Sequence, residues 1–205
     1  MKKSMLSILR EWSIIIMVVL IILDLYMLFQ VSIARNETTF WKSKMTPSVR
    51  EQLSLAEHSM ELEDLSSDIN QLQKSDEQAA RLINGTRDYL LLFIMRGTTC
   101  DNCLNMEMNI FKEYRERLQD LRVSTVMVLY EVDKSRYSIF VDLFGINNIA
   151  ILDKAMILGR RFDKYMNPII LLLNRDKRVI YANISDYRDE AKSKRFFEKV
   201  LALSR

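Results

Sequence analysis

Two cysteines, one histidine, two prolines and four glycines are all that the 205 residues supply of those four types, and each scarcity narrows what the chain can do. A lone histidine, His58, cannot complete zinc's usual four ligands even with both cysteines added. Two sulfurs alone leave a soft ion such as Cu(I) as the metal they could take. Lys and Arg outnumber Asp and Glu by only three, 30 against 27, and neither sign is blocked into a long tail. Nucleic-acid binding therefore has no electrostatic footing. Breakers are so sparse that residues 48–84 contain neither proline nor glycine.

What is present is apolar: 49% of the residues, enough for one core of ordinary domain size with accessory segments. Residues 13–23 are almost wholly aliphatic and the run continues past Asp24 to Phe29, close to the ~20 residues that span a bilayer. We read a transmembrane helix over residues 12–33, in contact with the lipid bilayer, after a cytoplasmic N-terminus of residues 1–11. Trp12 and Trp41 suit the two interfaces, and Lys2, Lys3 and Arg10 favour the cytoplasmic side for the N-terminus. The competing reading is a cleaved signal peptide ending near Ser32-Ile33-Ala34, against which the run is longer than the 7–15 residues of a usual signal core. Either way the remainder is exported, where a cysteine pair can cycle between dithiol and disulfide. Asp24, costly inside that run, is either protonated or reached by water, or else meets a polar residue of a membrane partner.

Residues 34–84 read as a helical connector. Leu55, Leu62, Leu65, Ile69, Leu72, Ala79 and Ile83 recur at three- and four-residue steps, the pattern of an amphipathic helix or a coiled coil. Packing of this helix on its own domain is preferred to a homodimer through residues 49–83, because His58 and Asp76 fall on the same stripe. His58 itself is expected at the surface or in that seam.

The cysteines form Cys100-Asp101-Asn102-Cys103, directly after a strand predicted over residues 89–95 and a break at Arg96-Gly97-Thr98-Thr99. Met106, Ile110, Tyr114, Leu118 and Leu121 then repeat at helical spacing. A C-x-x-C between strand and helix points to dithiol chemistry, with the helix N-terminus stabilising a thiolate at Cys100. Cys100 is the expected nucleophile, and Cys103, one turn in, the resolving thiol. Downstream come a strand over 123–132, a helix over 135–144 ended by Gly145, and a strand over 149–152. A hairpin of 169–173 and 178–182 turning at 174–177 and a helix over 189–203 complete the pattern. The predicted architecture is α/β, a central mixed sheet flanked by helices. The methionines at 106, 108, 127, 156 and 166 fit gap-filling core positions better than a copper or peptide site.

Leu91-Leu92-Phe93 followed by the cysteine motif, and Asn167-Pro168-Ile169-Ile170-Leu171-Leu172-Leu173-Asn174-Arg175-Asp176-Lys177-Arg178-Val179-Ile180-Tyr181, resemble the thioredoxin superfamily. The chain is most similar to its membrane-anchored, TlpA-like thiol-disulfide oxidoreductases, over residues 85–205. The resemblance implies a thioredoxin-like sandwich in which Pro168 is cis and lies against the cysteines, while Asn167 offers its backbone to the substrate. Thr99 stands where the family has tryptophan and is expected to border the substrate with them. The strand over 89–95 carries none of the buried acid that the thioredoxin proper uses to relay a proton, and Lys177 replaces the glycine of the hairpin turn. Copper-delivery relatives need a histidine that residues 85–205 lack, and the proline and threonine preceding a peroxidatic cysteine are also absent.

Asp101 sets a carboxylate beside the nucleophile and opposes its thiolate, with Asn102 as its neighbour in the motif and Arg96 as a partial offset. That favours the reducing end of the redox scale. The expected protein is a membrane-anchored thiol-disulfide oxidoreductase of the cytoplasmic membrane, its domain on the extracytoplasmic or periplasmic side. It would act on partner proteins with no cofactor beyond the Cys100-Cys103 disulfide and no metal, reset by a membrane electron donor or acceptor. The alternative is a redox-inactive module with a static disulfide that binds a membrane complex. An enzyme needs Cys100 more exposed than Cys103 and a cis Pro168 beside them; a scaffold needs neither.

Overall fold

The computed structural model describes residues 47–85, 88–121 and 123–203. The expected N-terminus 1–11, the membrane span 12–33 with Asp24, and Trp41 lie outside the described residues. Among the described residues no helix is long and apolar enough to cross a membrane. The chain divides into two units, Met1–Arg50 and Glu51–Arg205. Of the first, only the opening turn of a helix is described.

The second unit is built on a five-stranded sheet: β1 Tyr89–Arg96, β2 Val123–Tyr130, β3 Ala150–Leu152, β4 Ile169–Leu173 and β5 Val179–Ile184, in the order β3-β2-β1-β4-β5. β1 runs parallel to β2 and β2 to β3, while β4 is antiparallel to both β1 and β5. The helices are α1 Pro47–Met60, α2 Ser66–Ser75, α3 Glu77–Asn84, α4 Asp101–Asp120, α5 Lys134–Phe144, α6 Ile157–Phe162 and α7 Glu190–Leu203.

The continuous apolar run of β1 follows from burial on both faces. Leu90, Leu92 and Ile94 join the layer of α2, α3 and α6, whereas Leu91, Phe93 and Met95 join that of α4, α5 and α7. On the second face Phe93 meets Phe111 edge to face at 5.2 Å, and Tyr114 stacks on Phe197 at 5.2 Å.

The stretch expected as a connector is three helices, and from Glu51 onward it belongs to the domain, so the compact unit begins well before the expected boundary at residue 85. Leu65, Ile69, Leu72, Ala79 and Ile83 of the predicted stripe are buried in the domain's own core. Leu55 and Leu62 of that stripe stay exposed. The helix breaks at Leu62, whose φ of 71° is left-handed, because the backbone there pairs with β5: Leu62 N–H donates to Val179 O at 2.8 Å and Val179 N–H to Glu63 O at 2.9 Å. A second break falls at Asp76, whose carboxylate caps α3 by accepting from Ala79 N–H at 2.9 Å. Arg161 of α6 clamps Glu63 and Asp68 at 3.0 and 2.5 Å, and Glu57 pairs with Lys192 of α7. His58 lies on the surface beside Glu61, 3.1 Å away.

α6 has no counterpart in the sequence reading. Its six residues are held by Asp153, a buried carboxylate that accepts from the N–H groups of Ile157, Leu158 and Gly159 at 2.9, 2.9 and 3.1 Å. Helical spacing is unreadable in six residues, and the cap comes from outside the helix.

Candidate active site

β1 carries the chain out of the sheet at Arg96, where the loop to α4 must lie against the end of β2. Only glycine allows that approach at 97, since a Cβ there would stand 2.2 Å from Glu131 O and 2.8 Å from Val132 Cγ2. Gly97 N–H donates to Tyr130 O at 2.9 Å. Thr99 closes the turn: its hydroxyl accepts from Arg96 N–H at 2.9 Å and its own N–H donates to Arg96 O at 2.9 Å. The side chain expected to border the substrate thus also holds the loop.

Cys100 follows as the N-cap of α4, with φ −56° and ψ 114°. Its sulfur accepts from Cys103 N–H at 3.4 Å, the hydrogen bond that a capping oxygen would make. Cys100 is half-buried and Cys103 is 2% exposed. Cys100 is thus the more exposed of the two, and Cys103 lies a turn behind it. Asp101 and Asn102 are exposed in the first turn of α4.

Burial pushes the Cys103 thiol up to about 12, helped by its contact with Cys100 and the Asp186 carboxylate and opposed by the Tyr187 backbone N–H. Near neutral pH Cys103 is a thiol, and it must lose a proton to attack. Asp186 and Tyr187 reach it because β5 ends beside the loop: Ile184 pairs with Ile169, and Ile169 with Ile94 near the end of β1. Sequence reading missed both residues, since nothing local ties position 186 to position 103; strand order does.

A second acid was also missed. Glu107, four residues after Cys103 and on the same side of α4, is 1% exposed. Its Oε1 accepts from Ser193 Oγ and, at 3.2 Å, from Asn183 Nδ2. Burial raises its carboxyl above the usual range, against the lowering effect of those hydrogen bonds. β1 contains no acid, but α4 places one in the core from the other side. The signal in sequence was a glutamate on the apolar stripe of the helix.

The Arg96 side chain is held by partners other than Asp101. Its guanidinium pairs with Glu131 and donates to Asp163 O at 3.4 Å, which commits its charge to the end of β2 and the loop after α6. Expected to moderate Asp101, it instead fixes the loop's base.

Asn167 and Pro168 do arrive at this end of the sheet, immediately before Ile169. The expectation of a cis bond is overturned: no peptide bond among the described residues is cis, so Asn167–Pro168 is trans. Trans is the form X-Pro favours by about 0.5–1 kcal/mol. Here the entry to β4 is held without a cis turn, because Asn167 Nδ2 donates to Ser185 O at 2.6 Å and Ser185 N–H to Pro168 O at 2.9 Å. Pro168 is buried and Asn167 half-buried.

No family model matches the chain, and no curated protein matches its sequence. Solved structures do resemble it. A putative thiol:disulfide interchange protein DsbE from Chlorobium tepidum superposes with a TM-score of 0.50 at 15% identity, over 60% of this chain and 84% of that one. A thiol:disulfide interchange protein from Bacteroides sp. gives 0.46 at 13% identity, over 60% and 77%. Peroxiredoxin Q from Xanthomonas campestris gives 0.45 at 12% identity, over 60% and 83%. At such identities the likeness is one of fold, and the fold is thioredoxin-like: a five-stranded mixed sheet flanked by helices. Chemistry must be argued from the site.

Proposed function

We propose that the domain exchanges disulfides with exported partner proteins through Cys100 and Cys103. One observation carries the reading: a half-buried cysteine at the N-cap of α4 with a second cysteine fully buried one turn behind it. The Cys100 thiolate attacks one sulfur of a partner disulfide, forming a mixed disulfide and expelling the partner's other sulfur, which takes up a proton. Cys103 then loses its proton and attacks Cys100, closing the Cys100-Cys103 disulfide and releasing the partner's second thiol. The partner gains two electrons and two protons, and the domain loses them. A membrane electron donor of dithiol chemistry would reset the pair. The apolar segment 12–33 supports anchoring to the cytoplasmic membrane with the domain on its extracytoplasmic side.

Asp101, exposed beside Cys100, supports the reducing direction. Asp101→Asn should raise the potential of the couple by roughly 10–30 mV, and a lower potential in the variant would reverse the assigned direction. The trans Asn167–Pro168 bond favours the second reading, a redox-inactive module with a static disulfide. Equilibrating the full-length protein in detergent across thiol-disulfide buffers and counting alkylated cysteines by mass separates the two. A reversible two-electron couple between roughly −270 and −120 mV supports exchange; a pair still oxidised below about −300 mV supports the static module.

A further inference from the structure

α5 is unusual in what it leaves in water. Ile139 is 64% and Leu143 69% exposed, one turn apart on the same face, so they form a bulky aliphatic ridge that buries nothing in this chain. Between that ridge and the first turn of α4 lies a groove of about 490 Å³, within the ~300–1,000 Å³ usual for ligand sites. Met95 and Leu129 contribute to its apolar lining. Thr99 and Asp101 line it too, and Cys100 lies between them in sequence, so the groove is continuous with the reacting loop. Its charges are asymmetric. Arg96 lines it with its charge already paired to Glu131, whereas Arg136, on α5, is exposed and its guanidinium has no ion-pair partner among the described residues, and Asp101 stands beside the cysteine.

We infer that this groove seats the polypeptide substrate of Cys100: a segment whose half-cystine is flanked by bulky aliphatic or aromatic side chains, with an acidic residue farther along that pairs with Arg136. The inference rests on the exchange reading and names its substrate class. Apolar flanks fill the groove beside Ile139 and Leu143. An acid next to the half-cystine would meet Asp101 and be rejected, so it belongs at the Arg136 end. A small disulfide has nothing to place in the groove.

The test uses the full-length protein in detergent and three probes: a disulfide-bridged peptide with Leu and Phe flanking its half-cystine and Asp at the far end, the same peptide with Ser for Leu and Phe, and hydroxyethyl disulfide. For reduced wild type, the second-order rate with the apolar peptide should exceed that with the Ser peptide by about tenfold or more. In the Ile139→Ser, Leu143→Ser double variant, the ratio of the apolar-peptide rate to the hydroxyethyl disulfide rate should fall about tenfold. Arg136→Glu should invert the preference between Asp- and Lys-bearing peptides. Equal rates for apolar and Ser peptides, or an unchanged ratio in the double variant, overturns the assignment. Binding of the apolar peptide with Ser in place of its cysteine, read by fluorescence anisotropy, is the independent arm. If no disulfide reacts, exchange itself fails, and the groove is upheld or refuted by whether the double variant weakens that binding.

Discussion

At the scale of single residues, the site turns on two buried acids, the thiol of Cys103 and the carboxyl of Glu107. With the thiol pushed up to about 12, the Cys103 thiolate is scarce at neutral pH and grows about tenfold per pH unit. Release of thionitrobenzoate from a Cys100 mixed disulfide should therefore accelerate about tenfold per unit from pH 6 to 9. A plateau inside that window would mean a far more acidic Cys103. Cys103→Ser should abolish this release and trap the mixed disulfide at Cys100. For Glu107 the folded-state value is raised, so the folded protein holds the proton longer than the unfolded chain does. Its stabilising contribution is complete below the ordinary carboxyl value of ~4.3 and is lost as pH rises above it. Glu107→Gln should remove that fall, so the variant's urea midpoint loses less between pH 5 and pH 8 than that of wild type.

Among the elements, the decisive parts are short pieces that hold longer ones in place. The loop from Arg96 to Thr99 works because residue 97 has no side chain. Gly97→Ala, meeting Glu131 O at 2.2 Å, must push the loop off β2 and should cost roughly 1–3 kcal/mol in a urea melt. Thiol reactivity of Cys100 should change with it, since the same loop sets the N-cap. Asp153→Ala strips three buried N–H groups of their acceptor at the start of α6, with an expected loss of about 2 kcal/mol or more. In the hairpin turn Lys177 takes φ 63°, the left-handed region where glycine is favoured.

For the molecule as a whole, one face of the sheet is covered by α2 and α3 together with α6. Leu65, Ile69, Leu72 and Ile83 each contribute ~1.5–3 kcal/mol by burial, together comparable with the ~5–15 kcal/mol that keeps a domain folded. A fragment of residues 85–205 should thus be unfolded or aggregated by circular dichroism, while residues 51–205 fold cooperatively. A stable 85–205 fragment would show that the helices are an accessory.

Most of the elements could be read from the sequence because they are local. The strands over 89–96, 123–130 and 169–173 are marked by apolar runs, α4 and α7 by helical spacing, and the Cys100-x-x-Cys103 pair by its place between a strand and a helix. Tertiary structure alone decided that the segment preferred as packed on its domain is broken at Leu62 and Asp76, that Asp186 and Tyr187 face Cys103, that Glu107 is buried, that Arg96 serves Glu131, and that Asn167–Pro168 is trans. The physical reason is common to all of these. Periodicity and spacing report which face of an element is apolar, whereas the partner on that face is set by strand order and by contacts between residues far apart in the chain.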